Sequence, residues 1–165
     1  MSKPPAPKAT ATPRQVWPGF AESQQFPAST PDWFISRGHF GETLLALVRV
    51  SPKALDQYQQ LTRGAELEAG CTLVMLHKSR ATGKPGPIYV MQRGESAWDY
   101  MVLEQEGGIV ERGPIPRCAR CHADAVADFL FGPPRDTPTA TPPTPTPPAV
   151  TPPAATPPAA TPPTP

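Results

Sequence analysis

The sequence lacks several features that would narrow its role at once. Neither sign of charge is in excess, since 15 lysines and arginines oppose 14 aspartates and glutamates for a formal net charge of +1. A nucleic-acid or polyanionic partner is thereby disfavoured, because such binding depends on a basic surface. No apolar run approaches the roughly 20 residues that cross a bilayer; the longest, LLALV at 44–48, is strand-sized. The N-terminus lacks the basic, apolar, small-residue order of a secretion signal. Large side chains are missing from 136–165, which hold only Thr, Pro and Ala with one Val after Asp136. Such a segment cannot bury enough surface to offset its ordering entropy, so 135–165 is read as a disordered, largely polyproline II tail. The opening MSKPPAPKATATPR is likewise rich in Pro, Ala and Lys, and 1–29 is read as a flexible arm. What remains, 30–134, suffices for one modest core and one domain.

Within that span, TLLALVRV (43–50) alternates: Ala46, Val48 and Val50 fall on one face, Leu45, Leu47 and Arg49 on the other. That is the period of a strand. Ser51-Pro52 supplies a capping serine and a first-turn proline for a helix with Leu55 and Tyr58 on one face and a stop at Gly64. CTLVMLH (71–77) reads as a second strand, and SRATGKPGP as a turn-rich loop without phosphate-loop spacing. IYVMQ (88–92) and WDYMVLE (98–104) make a hairpin through RGES. ADAVADFLF, near the end, is read as a short helix with Val126, Phe129 and Leu130 at core spacing. The sum is an α+β domain, a mainly antiparallel sheet with a few helices.

PRCARCHADAV (116–126) carries the strongest chemical signal, for Cys118 and Cys121 are separated by two residues and His122 follows at once. A redox disulfide of this spacing usually opens a helix after a strand, whereas a proline-broken GPIPR precedes it here. A zinc ion needs four ligands, and only Cys71, His39 and His77 remain to supplement the motif. His122, directly beside Cys121, is also awkward as a second ligand to one ion. Covalent haem attachment has C-x-x-C-H as its signature. Each thiol adds across one haem vinyl group as a thioether, and the two-residue gap spans the separation of the vinyls. The histidine then lies beneath the ring as the proximal iron ligand. One covalently attached haem c is therefore expected, with Cys118 and Cys121 as tethers and His122 on the iron. Cys71 is left as a buried thiol. Haem attachment occurs outside the bacterial inner membrane, so a periplasmic or otherwise exported location is expected, and the Thr/Pro/Ala tail suits an envelope spacer.

Small helical cytochromes c carry this motif near the start of the domain; here it follows the strands. That order, with W-x-x-S-x-G-H at 33–39, V-R-V-S-P at 48–52, G-C-T-L-V-M-L at 70–76, I-Y-V-M at 88–91, W-D-Y at 98–100 and C-A-R-C-H-A-D-A-V-A-D-F-L-F at 118–131, resembles the cytochrome P-460 family and its cytochromes c′-β. The resemblance covers about 30–134. It implies a curved antiparallel sheet over the haem, a homodimer, and a five-coordinate iron with His122 as its only protein ligand. Members with a lysine cross-linked to the haem carry that lysine where Met75 stands here, and Lys78 falls on the opposite strand face. Hydroxylamine-oxidising members place an arginine near the position of Ala46. Met75 and Ala46 thus become candidate distal-pocket residues of an apolar site that takes a small gaseous ligand such as nitric oxide. Two alternatives stay open. One is a hydroxylamine or nitrogen-oxide oxidoreductase. The other is an electron-transfer cytochrome, serving a redox partner protein, in which Met75, Met91 or Met101 caps the iron. His39 and His77 are read as surface or hydrogen-bonded core residues, and Trp33, Phe40, Tyr89 and Trp98 as core or as lining of the haem pocket.

Overall fold

Four segments are short apolar runs, and the computed structural model, which describes residues 14–134, makes each a strand of one antiparallel sheet. The expected arm over 1–13 and tail over 135–165 lie outside the described residues. A short helix α1 (Phe20–Ser23) precedes β1 (Phe34–Ile35) and β2 (Leu44–Val50). A 3-10 turn at Pro52–Ala54 runs into α2 (Leu55–Gln59). Then come β3 (Thr72–Ser79), β4 (Ile88–Arg93), β5 (Trp98–Leu103), β6 (Ile109–Gly113) and helix α3 (Pro116–His122). The six strands follow one another in the sheet in sequence order, every pair antiparallel. This is the β-rich α+β class expected.

Register fixes which residues share a face. Val48 stands opposite Met75, Met75 opposite Tyr89 and Tyr89 opposite Val102. One row along, Val50, Leu73, Met91 and Tyr100 line up in the same way. Both rows belong to one buried cluster, completed by Tyr58 and Leu61 beyond β2 and by Ile115, Cys118 and Ala119 from the last helix. The opposite face holds Val74, Ile88, Val90, Met101 and Leu103, closed by Trp17 and Phe20.

The N-terminal segment departs from expectation. Residues 14–29 are packed structure rather than arm: Trp17 is 5% exposed and Phe26 7%. The reason is that the second sheet face needs a cover. The Trp17 amide donates to the Gly107 carbonyl at 2.9 Å, and the Ile109 amide to that of Gln15 at 2.8 Å, so the segment extends the β5–β6 turn. Arg49 then donates to the carbonyls of Gln24 and Phe26, and Ser29 and Pro27 pair with Val48 and Val50 along the β2 edge. An unpaired strand edge is thereby closed.

Three further readings shift. The Ser51 hydroxyl makes no helix cap; it accepts the Thr72 amide at 3.0 Å and stitches β2 to β3. The α2 helix ends at Gln59, short of Gly64. Residues 123–131 are turns and an isolated bridge, and the helix lies instead at 116–122, started by Pro116 at its first turn. Val126 and Phe129 are exposed, while Leu130 is buried. Among the described residues no helix is long and apolar enough to cross a membrane. Because the 14–29 segment seals a whole sheet face, Trp17→Ala is expected to lower unfolding free energy by about 3–5 kcal/mol, the usual cost of emptying a buried aromatic site. Urea denaturation checks this; an unchanged midpoint would detach these residues from the cooperative fold.

Candidate functional site

The β6 strand ends at Gly113, and the chain turns through Ile115, which is 3% exposed and anchors the start of α3 in the sheet-face cluster. Proline at the first helical position costs nothing, since that N–H has no partner in a helix anyway. The Cys118 and Ala119 amides both donate to the Ile115 carbonyl at 3.0 Å, closing the first turn. On an α-helix, residues three and four apart share a side. Cys118, Cys121 and His122 therefore form one stripe, which grades from the half-buried Cys118 to the exposed Cys121. Both thiols are free. Burial pushes the Cys118 thiol up, with Arg117 acting against it, so it is a neutral thiol at pH 7. An Arg117–Glu111 ion pair ties the helix to β6 at the surface, where such pairs are worth little.

His122 is the best-positioned group of the three. Its Nδ1 lies 2.7 Å from the Phe129 carbonyl oxygen, which can only accept, so Nδ1 carries the proton. Nε2 is then the unprotonated nitrogen, and it has no partner among the described residues. Burial lowers the His122 pKa, against the opposing pull of that hydrogen bond, and favours the neutral ring. A neutral imidazole with one nitrogen tied to a carbonyl and the other bare is the form that ligates a metal. The ring is flanked by Tyr100 at 5.7 Å and by Phe131 at 5.5 Å between centroids. Phe129 and Phe131 stand exposed beside it.

The accepting carbonyl is held under strain. Asp128 and Phe129 have φ of 47° and 61°, and the Leu130 amide donates to the Ala127 carbonyl at 2.7 Å. Two consecutive positive φ values with that bond are the mark of a type I′ turn, usually Asn, Asp or Gly. Aspartate tolerates the left-handed region; a phenylalanine there costs about 1–2 kcal/mol.

Of the residues expected around a haem, Met75 packs against the same cluster as Cys118. Ala46 lies on that sheet face but is wholly buried, between Phe34 and His77 in register. Met91 shares the face, whereas Met101 is on the opposite one, which removes it as an iron ligand from this side. Lys78 is on that opposite side too, its ammonium 4.2 Å above the Trp33 ring. His77 is a buried, hydrogen-bonded residue, Nδ1 to the Pro87 carbonyl at 3.0 Å and Nε2 to the Ser36 hydroxyl at 3.3 Å. His39 is half-buried and makes no side-chain hydrogen bond among the described residues; it stacks on Tyr89 at 4.7 Å, the rings 11° from parallel. Phe40, expected in the core, is exposed.

A haem fits what the chain provides. A bare ion would need several protein donors, yet no group of three or more His, Cys, Asp or Glu among the described residues forms such a site. A haem iron brings four ring nitrogens of its own and asks the protein for one bare imidazole nitrogen. Tyr100 adds an observation of a different kind: its hydroxyl is buried beside His122 with no hydrogen-bond partner among the described residues, the sort of orphaned donor that a bound polar group satisfies. No family model matches the chain, and neither a curated protein nor a solved structure is detectably similar to it.

Burial pushes His39 down to about 4, with the neighbouring His77 and His122 adding to the effect. Its folded pKa is thus below its unfolded value, near 6.5. The unfolded chain binds the extra proton between these limits, so stability is full above pH 6.5 and falls as pH drops towards 4. Urea midpoints measured across that window are expected to decline, and less steeply in His39→Phe. Parallel profiles for the two proteins would remove His39 as a cause.

Proposed function

We propose that the chain is a monohaem c-type cytochrome of the P-460/c′-β kind, which binds a small gaseous ligand such as nitric oxide at a five-coordinate iron. The observation that carries the reading is the His122 imidazole, with Nδ1 committed to the Phe129 carbonyl and Nε2 bare, on the same helical stripe as two free thiols three residues apart. Cys118 and Cys121 would hold the haem through thioether bonds, and His122 would supply an imidazole nitrogen to its iron. A haem held there would supply an iron able to bind a diatomic ligand.

The chain's own residues set the selectivity. Partial burial lowers the His122 pKa and favours its neutral ring. On the sheet face that α3 covers, Met75 and Met91 offer no N–H or O–H donor to a ligand, whereas Tyr89 and Tyr100 carry hydroxyls there. Phe129 and Phe131 present apolar surface beside the histidine, which a porphyrin would cover. Tyr100, its hydroxyl unpartnered among the described residues and its ring 5.7 Å from that of His122, would be the nearby donor for a bound polar group. The same reading carries a curved sheet over the haem, a homodimer and an exported location. Met75 and Ala46 in place of lysine and arginine argue against hydroxylamine oxidation.

A second reading has its own support. Met75 packs against the cluster that Cys118 joins, so its thioether is on the correct side of the sheet to cap the iron as a His/Met electron-transfer centre. Ferrous spectra of the haem-loaded chain separate the two. The open-site reading expects a high-spin ferrous form that takes carbon monoxide and nitric oxide, unaltered in Met75→Ala. A low-spin wild type without a carbon monoxide adduct, turned high-spin by Met75→Ala, would establish the second reading instead. Steady hydroxylamine turnover would overturn both.

A further inference from the structure

We propose that Asp128 is the positioning residue of the site: its carboxylate locks the 127–130 turn so that the Phe129 carbonyl holds His122 with Nε2 bare. This deepens the haem reading and rests on it for the identity of what Nε2 meets.

Three groups converge on the Asp128 carboxylate. The Trp98 indole N–H donates to Oδ1 at 3.1 Å, the Leu67 amide donates to Oδ2 at 2.9 Å, and Arg93 Nε lies 3.7 Å from Oδ2 as an ion pair. The Asp128 side chain is 5% exposed and that of Arg93 13%, so these bonds act with little competition from water. Arg93 is fixed in turn, donating to the Leu67 carbonyl at 3.3 Å and lying over the Trp98 ring. The carboxylate thus joins the β4–β5 hairpin, through Arg93 and Trp98, to the loop at Leu67 and to the turn after α3.

The next residue, Phe129, is the one that pays in strain, and its side chain does not explain why it sits there: it is 44% exposed. What the left-handed conformation achieves is the direction of its carbonyl, 2.7 Å from His122 Nδ1. A strained turn, a buried anchor immediately before it and a histidine immediately in front of it form one device. Without the anchor the turn relaxes, the carbonyl swings away and the imidazole loses its tautomer preference. A merely structural Asp128 would change stability and leave that preference alone.

The tautomer can be read directly in the full-length chain without haem, from long-range nitrogen–proton correlations of the His122 ring. The wild type is expected to be mainly Nδ1-protonated. In Asp128→Ala the ratio of Nδ1-H to Nε2-H forms should fall about threefold to tenfold, the ratio that one neutral hydrogen bond commands. Asp128→Asn, which keeps an acceptor for Trp98, should retain most of the preference. A folded Asp128→Ala with an unchanged ratio overturns the proposal. Should that variant fail to fold, Trp98→Phe removes one anchor and keeps the ring body; a drop of about twofold or more supports the proposal, and no drop overturns it. Because the measurement needs no haem, its outcome is separate from that of the haem reading, which fails on its own if the wild type binds none covalently.

Discussion

A strand turns alternate side chains to opposite faces, and that period of two decides where chemistry can sit in this protein. Both faces of the sheet are covered. Its first face takes the last helix and the residues beyond β2, its second takes the segment around Trp17. Val48, Met75, Tyr89 and Val102 form one row across it because the register says so, and a slip of one residue would carry the whole row to the other side. Helix α3 can present its cysteines and histidine only along the face where Ile115 anchors it. The site is therefore a product of the sheet, although none of its three principal residues lies on a strand.

The second constraint is the orientation of one ring. An imidazole in water chooses between tautomers freely; His122 does not, because a backbone carbonyl in a strained turn takes up Nδ1. Strain of this sort persists where surrounding contacts over-determine it. Here the buried Asp128 carboxylate, with Trp98, Leu67 and Arg93 about it, is that surrounding. Sheet, anchor, turn and ring make a continuous chain from the hairpin of β4 and β5 to a bare nitrogen beside two thiols.

Much of the sheet was legible in the sequence. TLLALVRV announces its faces by alternation, and the β4–β5 hairpin by two apolar runs about a polar turn. Residues 14–29 were not, because Trp17 and Phe26 are isolated large side chains in Pro- and Ala-rich surroundings, and only a tertiary face explains their burial. β6 was missed because IVERG is short and follows two glycines. Pro116 looked like a break, although a proline is equally a start, and Val126, Phe129 and Leu130 have a spacing that a turn can mimic. Cys118, Cys121 and His122 stand out in the sequence because covalent haem attachment would demand those residue types at that spacing, and the structure places all three on helix α3. The partner of His122 could not, since any residue supplies a carbonyl. Asp128 left only the weak signal of a turn-former.

The account stands or falls on whether the two thiols carry a haem. A haem-stained denaturing gel of the full-length chain, produced in cells equipped to attach haem outside the inner membrane, tests this directly, because only covalent haem survives denaturation. A stained band at the chain's mass is expected, lost in the Cys118→Ser, Cys121→Ser double variant. An unstained wild-type band, with the folded protein present in quantity, would contradict it.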